Sequence, residues 1–174
     1  MIGNESTPLV SVIINCYNGD KYLSEAIDSV FAQTYTNWEI IFWDNCSTDN
    51  SAEIAKSYDE RLKYYFAHSN TRLGDARNHA IEKATGEFIA FIDVDDIWLH
   101  EKLEIQINAI RQNPEFILCY TGVLEFFNSK IPDREYLPNY ESGHIINNLL
   151  LNFNIHIVSA LISKKKIRSN RYEI

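Results

Sequence analysis

Residues 87–96 read Glu87-Phe88-Ile89-Ala90-Phe91-Ile92-Asp93-Val94-Asp95-Asp96, an apolar run that ends in three carboxylates within four positions. A short apolar run entered through a break such as Thr85-Gly86 has the pattern of a buried strand. Asp93 and Asp95 are spaced i, i+2, so both side chains leave the strand end on one face. Asp96 points elsewhere and is expected to cap the next helix.

Three earlier segments repeat this strand-then-polar-end pattern. Residues 10–17, Val-Ser-Val-Ile-Ile-Asn-Cys-Tyr, form a β-branched run that ends in the turn residues Asn18-Gly19-Asp20. Tyr22, Ala26 and Val30 then recur at helical spacing, with Asp20 placed to cap the start. Residues 38–43 are again apolar, residues 44–49 polar, and Asn50 with Glu53 suggests a capping box for a helix to about residue 58. A third strand is expected at 62–66, a third helix at 75–84 and a fourth strand at 87–92. Strands alternating with helices predict an α/β fold, a doubly wound, mostly parallel sheet with helices on both faces. Farther on, the pattern predicts a helix at 101–111, a strand at 116–126, a loop holding Pro132 and Pro138, a short helix at 145–151 and a strand at 158–162. No repeat or linker divides residues 1–174, which read as one domain.

The composition fits this reading. Apolar residues make up 45% of the 174 and charged residues 23%, the balance of a soluble globular protein. No apolar run approaches the roughly 20 residues that cross a bilayer, and the start lacks a basic-then-apolar leader, so a cytoplasmic location is the expectation. Cys16, Cys46 and Cys119 are far apart, form no CxxC pair, and read as small buried residues. None of the five histidines has zinc-ligand spacing. A formal charge of −8 argues against nucleic acid as a partner. Lys164, Lys165, Lys166, Arg168 and Arg171 form a basic stretch, read either as a solvated face or as a peripheral contact with anionic lipid at the inner face of a membrane.

Ligands of open α/β sheets bind outside the carboxyl ends of the strands. The polar segments Asn15-Cys16-Tyr17-Asn18, Asp44-Asn45, Asn70-Thr71-Arg72 and Asp93-Val94-Asp95-Asp96 should therefore share one edge. No GxGxxG follows the first strand and no GxxxxGK[ST] occurs, so phosphate would need another counter-charge. Two carboxylates about 4 Å from a diphosphate repel it by about 4 kcal/mol per charge pair at an effective dielectric near 20. A hard divalent cation, Mg²⁺ or Mn²⁺, between them reverses that sign, because it takes carboxylate and phosphate oxygens together.

In order, residues 10–19 (Val-Ser-Val-Ile-Ile-x-x-Tyr-Asn-Gly), Asp44-x-x-Ser47-Thr48-Asp49, Ala76-Arg77-Asn78 before Thr85-Gly86-Glu87, and Asp93-x-Asp95-Asp96-x-Trp98 resemble the inverting glycosyltransferases of family 2, which have the GT-A fold. The resemblance is close over residues 8–103 and looser over Ser159-Ala160-Leu161-Ile162. It implies a nucleotide-diphospho-sugar donor, a UDP-sugar above others, and a saccharide or lipid-linked acceptor. It further implies that Tyr17 stacks on the base, Asp44 accepts from the uracil imide, Asp93 faces the ribose or sugar, and Asp95 binds the metal. The implied nucleotide-binding set is Asn15, Tyr17, Asn18, Asp44, Arg72, Arg77, Asp93 and Val94, with Asp95 and Asp93 as metal ligands. Asn15 stands where the family often has Pro, and Arg72 where it often has Gly. The carboxylate that acts as general base in the family is expected beyond Ile174, since Glu173 lacks the motif's context.

Each residue also has a structural reading. Tyr17 can be a core aromatic, Asp44 an Asx-turn former or helix cap, Arg72 and Arg77 surface charges paired with Asp75 or Glu82, and Trp43 and Trp98 packing residues. Two other functions compete. A haloacid-dehalogenase-type phosphatase also places a DxD after an apolar strand, but at the first strand and with Thr or Val where Ile97 stands. A noncatalytic nucleotide-sugar-binding module fits the missing base.

Overall fold

The computed structural model describes residues 7–126, 134–137, 143 and 155–165. The expected helix at 145–151, the loop prolines, Glu173, Lys166, Arg168 and Arg171 lie outside them. The elements are β1 (Val10–Cys16), α1 (Asp20–Phe31), β2 (Trp38–Asp44), α2 (Ser51–Lys56), β3 (Leu62–Phe66), α3 (Leu73–Lys83), β4 (Phe88–Phe91), α4 (Lys102–Gln112), β5 (Leu118–Tyr120), β6 (Val123–Glu125), β7 (Arg134–Tyr136) and β8 (Ala160–Ser163).

One sheet of six strands has the order β3-β2-β1-β4-β8-β5, and β6 pairs with β7 apart from it. β1 through β4 run parallel, while β8 is antiparallel to both β4 and β5. The expected mostly parallel sheet is therefore present, with an antiparallel strand inserted between β4 and β5. The expected strand at 116–126 divides at Thr121-Gly122 into β5 and β6, which join different sheets. A Cβ on Gly122 would sit 3.0 Å from Leu137 and 3.1 Å from the Tyr136 carbonyl, so a larger residue at this passage would crowd the end of β7.

Alternation along β1 divides the core. Val10, Val12, Ile14 and Cys16 pack with Leu23 and Ile27 of α1, Ala55 of α2 and Leu103 and Ile107 of α4. Ile13 packs the other way, with Ile41, Ile89, Phe91 and Ala80 of α3. Helices thus cover both faces, as period-2 strands buried on both sides require.

Three polar expectations about these elements are corrected. Asp20 does not cap α1, because Gly19 is the N-cap and the Asp20 carboxylate lies 3.4 Å from the Asn50 amide and side chain. The capping box on α2 does not form, since Asn50 makes no side-chain cap and turns to Asp20 instead. Asp96 does not cap α4, which starts at Lys102 behind Glu101. For Asp20 and Asn50 a tertiary partner replaces the local one, whereas Asp96 stands too far ahead of the helix to reach its first turn. Cys16 is buried as expected, whereas Cys46 and Cys119 are half-buried.

Glu39 holds the interior strands together at the amino end of the sheet. It accepts from Ser11 Oγ at 2.6 Å, Thr85 N at 2.7 Å, Thr85 Oγ1 at 2.8 Å and Lys63 Nζ at 2.5 Å. Burial pushes its carboxyl upward, but these four donors outweigh it and hold the group at about 2.

Candidate functional site

The chain leaves the sheet in opposite directions from β1 and β4, which makes their carboxyl ends the switch point where such sheets bind ligands. The turn after β1 is built by its neighbour. Asn18 has φ 53°, and its amide, with those of Gly19 and Asp20, donates to Ser47 Oγ (3.0 Å), Ser51 Oγ (3.0 Å) and Asp49 Oδ2 (2.9 Å). Asn18 Oδ1 accepts in return from the Thr48 amide at 2.8 Å. The Ser47-Thr48-Asp49 motif is thus a clamp on the β1–α1 turn. A Cβ on Gly19 would meet Val94 at 2.9 Å, so this turn lies directly against the loop after β4.

Tyr17 is 58% exposed, which removes it from the core. Asp44 is fully buried; its Oδ1 accepts from the Ser47 amide at 2.7 Å, the Asx-turn alternative, and its Oδ2 from Tyr64 Oη at 2.7 Å. Burial and Asp44 both raise the Tyr64 hydroxyl, which stays protonated and donates. Each Asp44 oxygen keeps a second lone pair. Asn15 is half-buried, and its Nδ2 is enclosed without a hydrogen-bond partner among the described residues, as is Nε1 of its register partner Trp43. The Asn15 amide therefore does not serve the backbone. Trp43 stacks between Tyr65 and His79, and Trp98 is buried, the packing roles expected of both.

Arg77 pairs with Asp93 at 2.9 Å, not with Asp75 or Glu82 as its surface reading would have it. Sequence spacing hid this contact because it spans from α3 to the loop after β4. Arg72 is exposed at the start of α3, with no ion pair among the described residues. Asp95 is exposed and has no hydrogen-bond or ion-pair partner among them. Asp93 spends Oδ1 on Arg77, which leaves Oδ2.

Asp96 belongs to the same cluster, which sequence reasoning missed. Burial raises its carboxyl to about 6, the charges of Asp93 and Asp95 add to the rise, and His156 opposes it. His156 precedes β8, so the antiparallel strand returns it to the carboxyl end of β4. No local spacing could have signalled that return. Of the basic stretch, Lys164 donates to the Ala84 carbonyl at the end of α3, so that cation serves the fold.

No group of three or more potential metal ligands occurs among the described residues. The oxygen donors present still fit the kind of site Mg²⁺ and Mn²⁺ use, one or two carboxylates with the remainder supplied by substrate and water.

This order of strands, with the acidic loop at the switch point, defines the GT-A class of Rossmann-like transferase folds. The chain matches glycosyl transferase family 2 over residues 11–164 and belongs to that family. It is 36% identical over 138 residues to a putative glycosyltransferase, EpsE, of Bacillus subtilis, covering 77% of this chain and 50% of that protein. Over 106 residues it is 42% identical to WfgD of Escherichia coli, a UDP-Glc:alpha-D-GlcNAc-diphosphoundecaprenol beta-1,3-glucosyltransferase, covering 60% of this chain and 42% of WfgD. The chain thus spans half or less of the length of these relatives. The fold matches S. aureus TarS in complex with UDP-GlcNAc, with a TM-score of 0.77 at 23% identity over 92% of this chain and 47% of that one. It also matches a Pyrobaculum calidifontis mannosyltransferase in complex with GDP-Man and Mn²⁺, with a TM-score of 0.69 at 18% identity over 93% of this chain and 46% of that one.

Proposed function

We propose that this chain is the donor-binding part of a metal-dependent, inverting glycosyltransferase that takes a UDP-sugar and glycosylates a hydroxyl of a saccharide or lipid-linked acceptor. The observation that carries this reading is Asp95, without a partner among the described residues, beside the Arg77-held Asp93 at the switch point. WfgD, whose name gives a UDP-glucose donor and a diphosphoundecaprenol-linked acceptor, supports the choice of uridine and of a lipid-linked acceptor.

In this reading the exposed Tyr17 ring stacks on the base and Asp44 accepts from the uracil imide with a remaining lone pair. Asn15 offers its unpartnered amide, and Asn18 and Val94 shape the floor between the two loops. Arg77 fixes Asp93 toward the ribose or sugar, and Arg72 lies beside the pyrophosphate. Asp95, with Asp93, would hold Mg²⁺ or Mn²⁺, which when bound neutralises charge on the leaving diphosphate. The attacking hydroxyl approaches from the side opposite the diphosphate, which gives inversion, and the group that deprotonates it is placed beyond Ile174.

Calorimetry with UDP, with and without Mn²⁺, tests the core of the proposal. UDP should bind in Mn²⁺ and lose at least tenfold in affinity in EDTA, since about 4 kcal/mol of repulsion returns per exposed charge pair. Equal affinity under both conditions would overturn the metal assignment. The phosphatase alternative predicts hydrolysis of a generic phosphate ester in Mg²⁺, and none is expected.

A further inference from the structure

We infer that the Tyr136–His156 ring pair, on the far side of the acidic loop from the nucleotide, is a platform for the acceptor saccharide; this rests on the donor reading above. β8 is antiparallel to β4, with Ala90 opposite Leu161. The residues in front of β8 therefore stand at the carboxyl end of β4, next to residues 93–96.

That approach is rigidly held. Ser159 donates to the His156 carbonyl through its amide at 2.9 Å and its hydroxyl at 2.7 Å. The Ser159 carbonyl accepts from Gln106 Nε2 at 2.8 Å, and Gln106 is fully buried in α4. Gln106 Oε1 accepts in turn from Lys102 Nζ at 2.8 Å, which lies 4.0 Å from the Trp98 ring centroid. The chain of contacts thus returns to the acidic loop that Trp98 follows. His156 itself is exposed, and its ring centre lies 5.4 Å from that of Tyr136 at 48°.

Tyr136 belongs to the β6–β7 ribbon, is 39% exposed, and donates its hydroxyl to Glu125 Oε2 at 3.1 Å. An exposed ring whose polar tip is already satisfied presents an apolar face, and sugar C–H groups pack on such faces. The His156 imidazole and the half-buried Asp96 carboxylate beside it offer the donor and acceptor that sugar hydroxyls need. Three carboxylates nearby disfavour an anionic occupant, whereas a neutral saccharide meets no such penalty. The position also suits the chemistry. With base and diphosphate on the β1–β3 side of Asp93 and Asp95, a nucleophile in line with the leaving group must come from the β8 side.

Saturation-transfer NMR on the protein with Mn²⁺-free Mg²⁺ and UDP tests this, using the methyl glycosides of glucose, N-acetylglucosamine, galactose, N-acetylgalactosamine, mannose and rhamnose as probes. At least one glycoside should receive saturation. Its affinity should fall about fivefold or more in Tyr136→Ala and His156→Ala and survive in Tyr136→Phe, which keeps the ring. UDP titrated into the same samples reports the fold and the donor site. If UDP binds but no glycoside does, or if Tyr136→Ala binds the glycoside unchanged, the platform is refuted. If UDP itself fails to bind, the donor reading falls instead.

Discussion

At the residue scale the proposed function gives the two aspartates Asp44 and Asp95 separable roles. Asp44 is locked between the Ser47 amide and the Tyr64 hydroxyl, whereas Asp95 is exposed and has no hydrogen-bond or ion-pair partner among the described residues. Asp44→Asn should weaken uridine and UDP alike, because it alters the acceptor that meets the imide. Asp95→Asn should weaken UDP in Mn²⁺ by tenfold or more and leave uridine within about twofold, since a charge-assisted contact is lost only to the diphosphate. Parallel calorimetry with both ligands checks the split, and equal losses in both variants would remove it. Asp93, Asp95 and Asp44 were all legible as polar residues at strand ends. The Arg77–Asp93 pair and the enclosure of Asp96 were not, since both depend on residues that only folding brings together.

At the scale of elements, the sheet depends on Glu39 and on the close approach of the segment entering β4. The Glu39 carboxyl sits at about 2 in the folded chain against an ordinary 4.5, so the folded state binds fewer protons than the unfolded one between those values. Its stabilisation is complete above about pH 4.5 and is lost as pH falls towards 2. Thermal melts from pH 5 to 2.5 should show a steep loss of Tm in the native sequence. Glu39→Gln should start lower and decline less over that window. Gly86 lies in the same place, where a Cβ would stand 2.6 Å from the Leu9 carbonyl and 2.7 Å from the Ser11 amide. Backbone cannot yield as a side-chain end can, so Gly86→Ala should cost roughly 2 kcal/mol or more in urea unfolding. The Thr85-Gly86 break was legible as a turn signal, but the need for bare backbone there is a fact of β1 lying alongside.

For the whole molecule, the chain spans half or less of its curated relatives, and the described residues gather their strand-end polar groups at one edge of a mostly parallel sheet. We expect these 174 residues to bind UDP-sugar but to transfer no sugar to an alcohol acceptor. A positioned general base contributes about 10²–10⁴-fold, and the proposed function assigns that base to none of these residues. Residual activity should appear as free sugar and UDP through attack by water. Product analysis over a panel of UDP-sugars checks this, and robust transfer to an alcohol would place the base within the chain. Glu173 and the acidic residues of the segment 133–141 would then be the first to mutate.

By itself the sequence determined the class of fold and the edge along which the polar strand ends gather. Period-2 apolar runs alternating with period-3.6 segments, each strand closed by polar residues, leave few topologies other than a doubly wound parallel sheet. A parallel sheet in turn collects its strand ends along one edge. Only the tertiary structure decided which way the late strands run and which polar groups are spent on each other. The division at Gly122, the antiparallel insertion of β8 between β4 and β5, and the return of His156 to Asp96 follow from long-range pairing, to which local periodicity is blind. The diversion of Asp20 and Asn50 from their own helix ends to each other has the same cause. A capping side chain takes whichever donor the fold brings within reach, and here that donor was some 30 residues away.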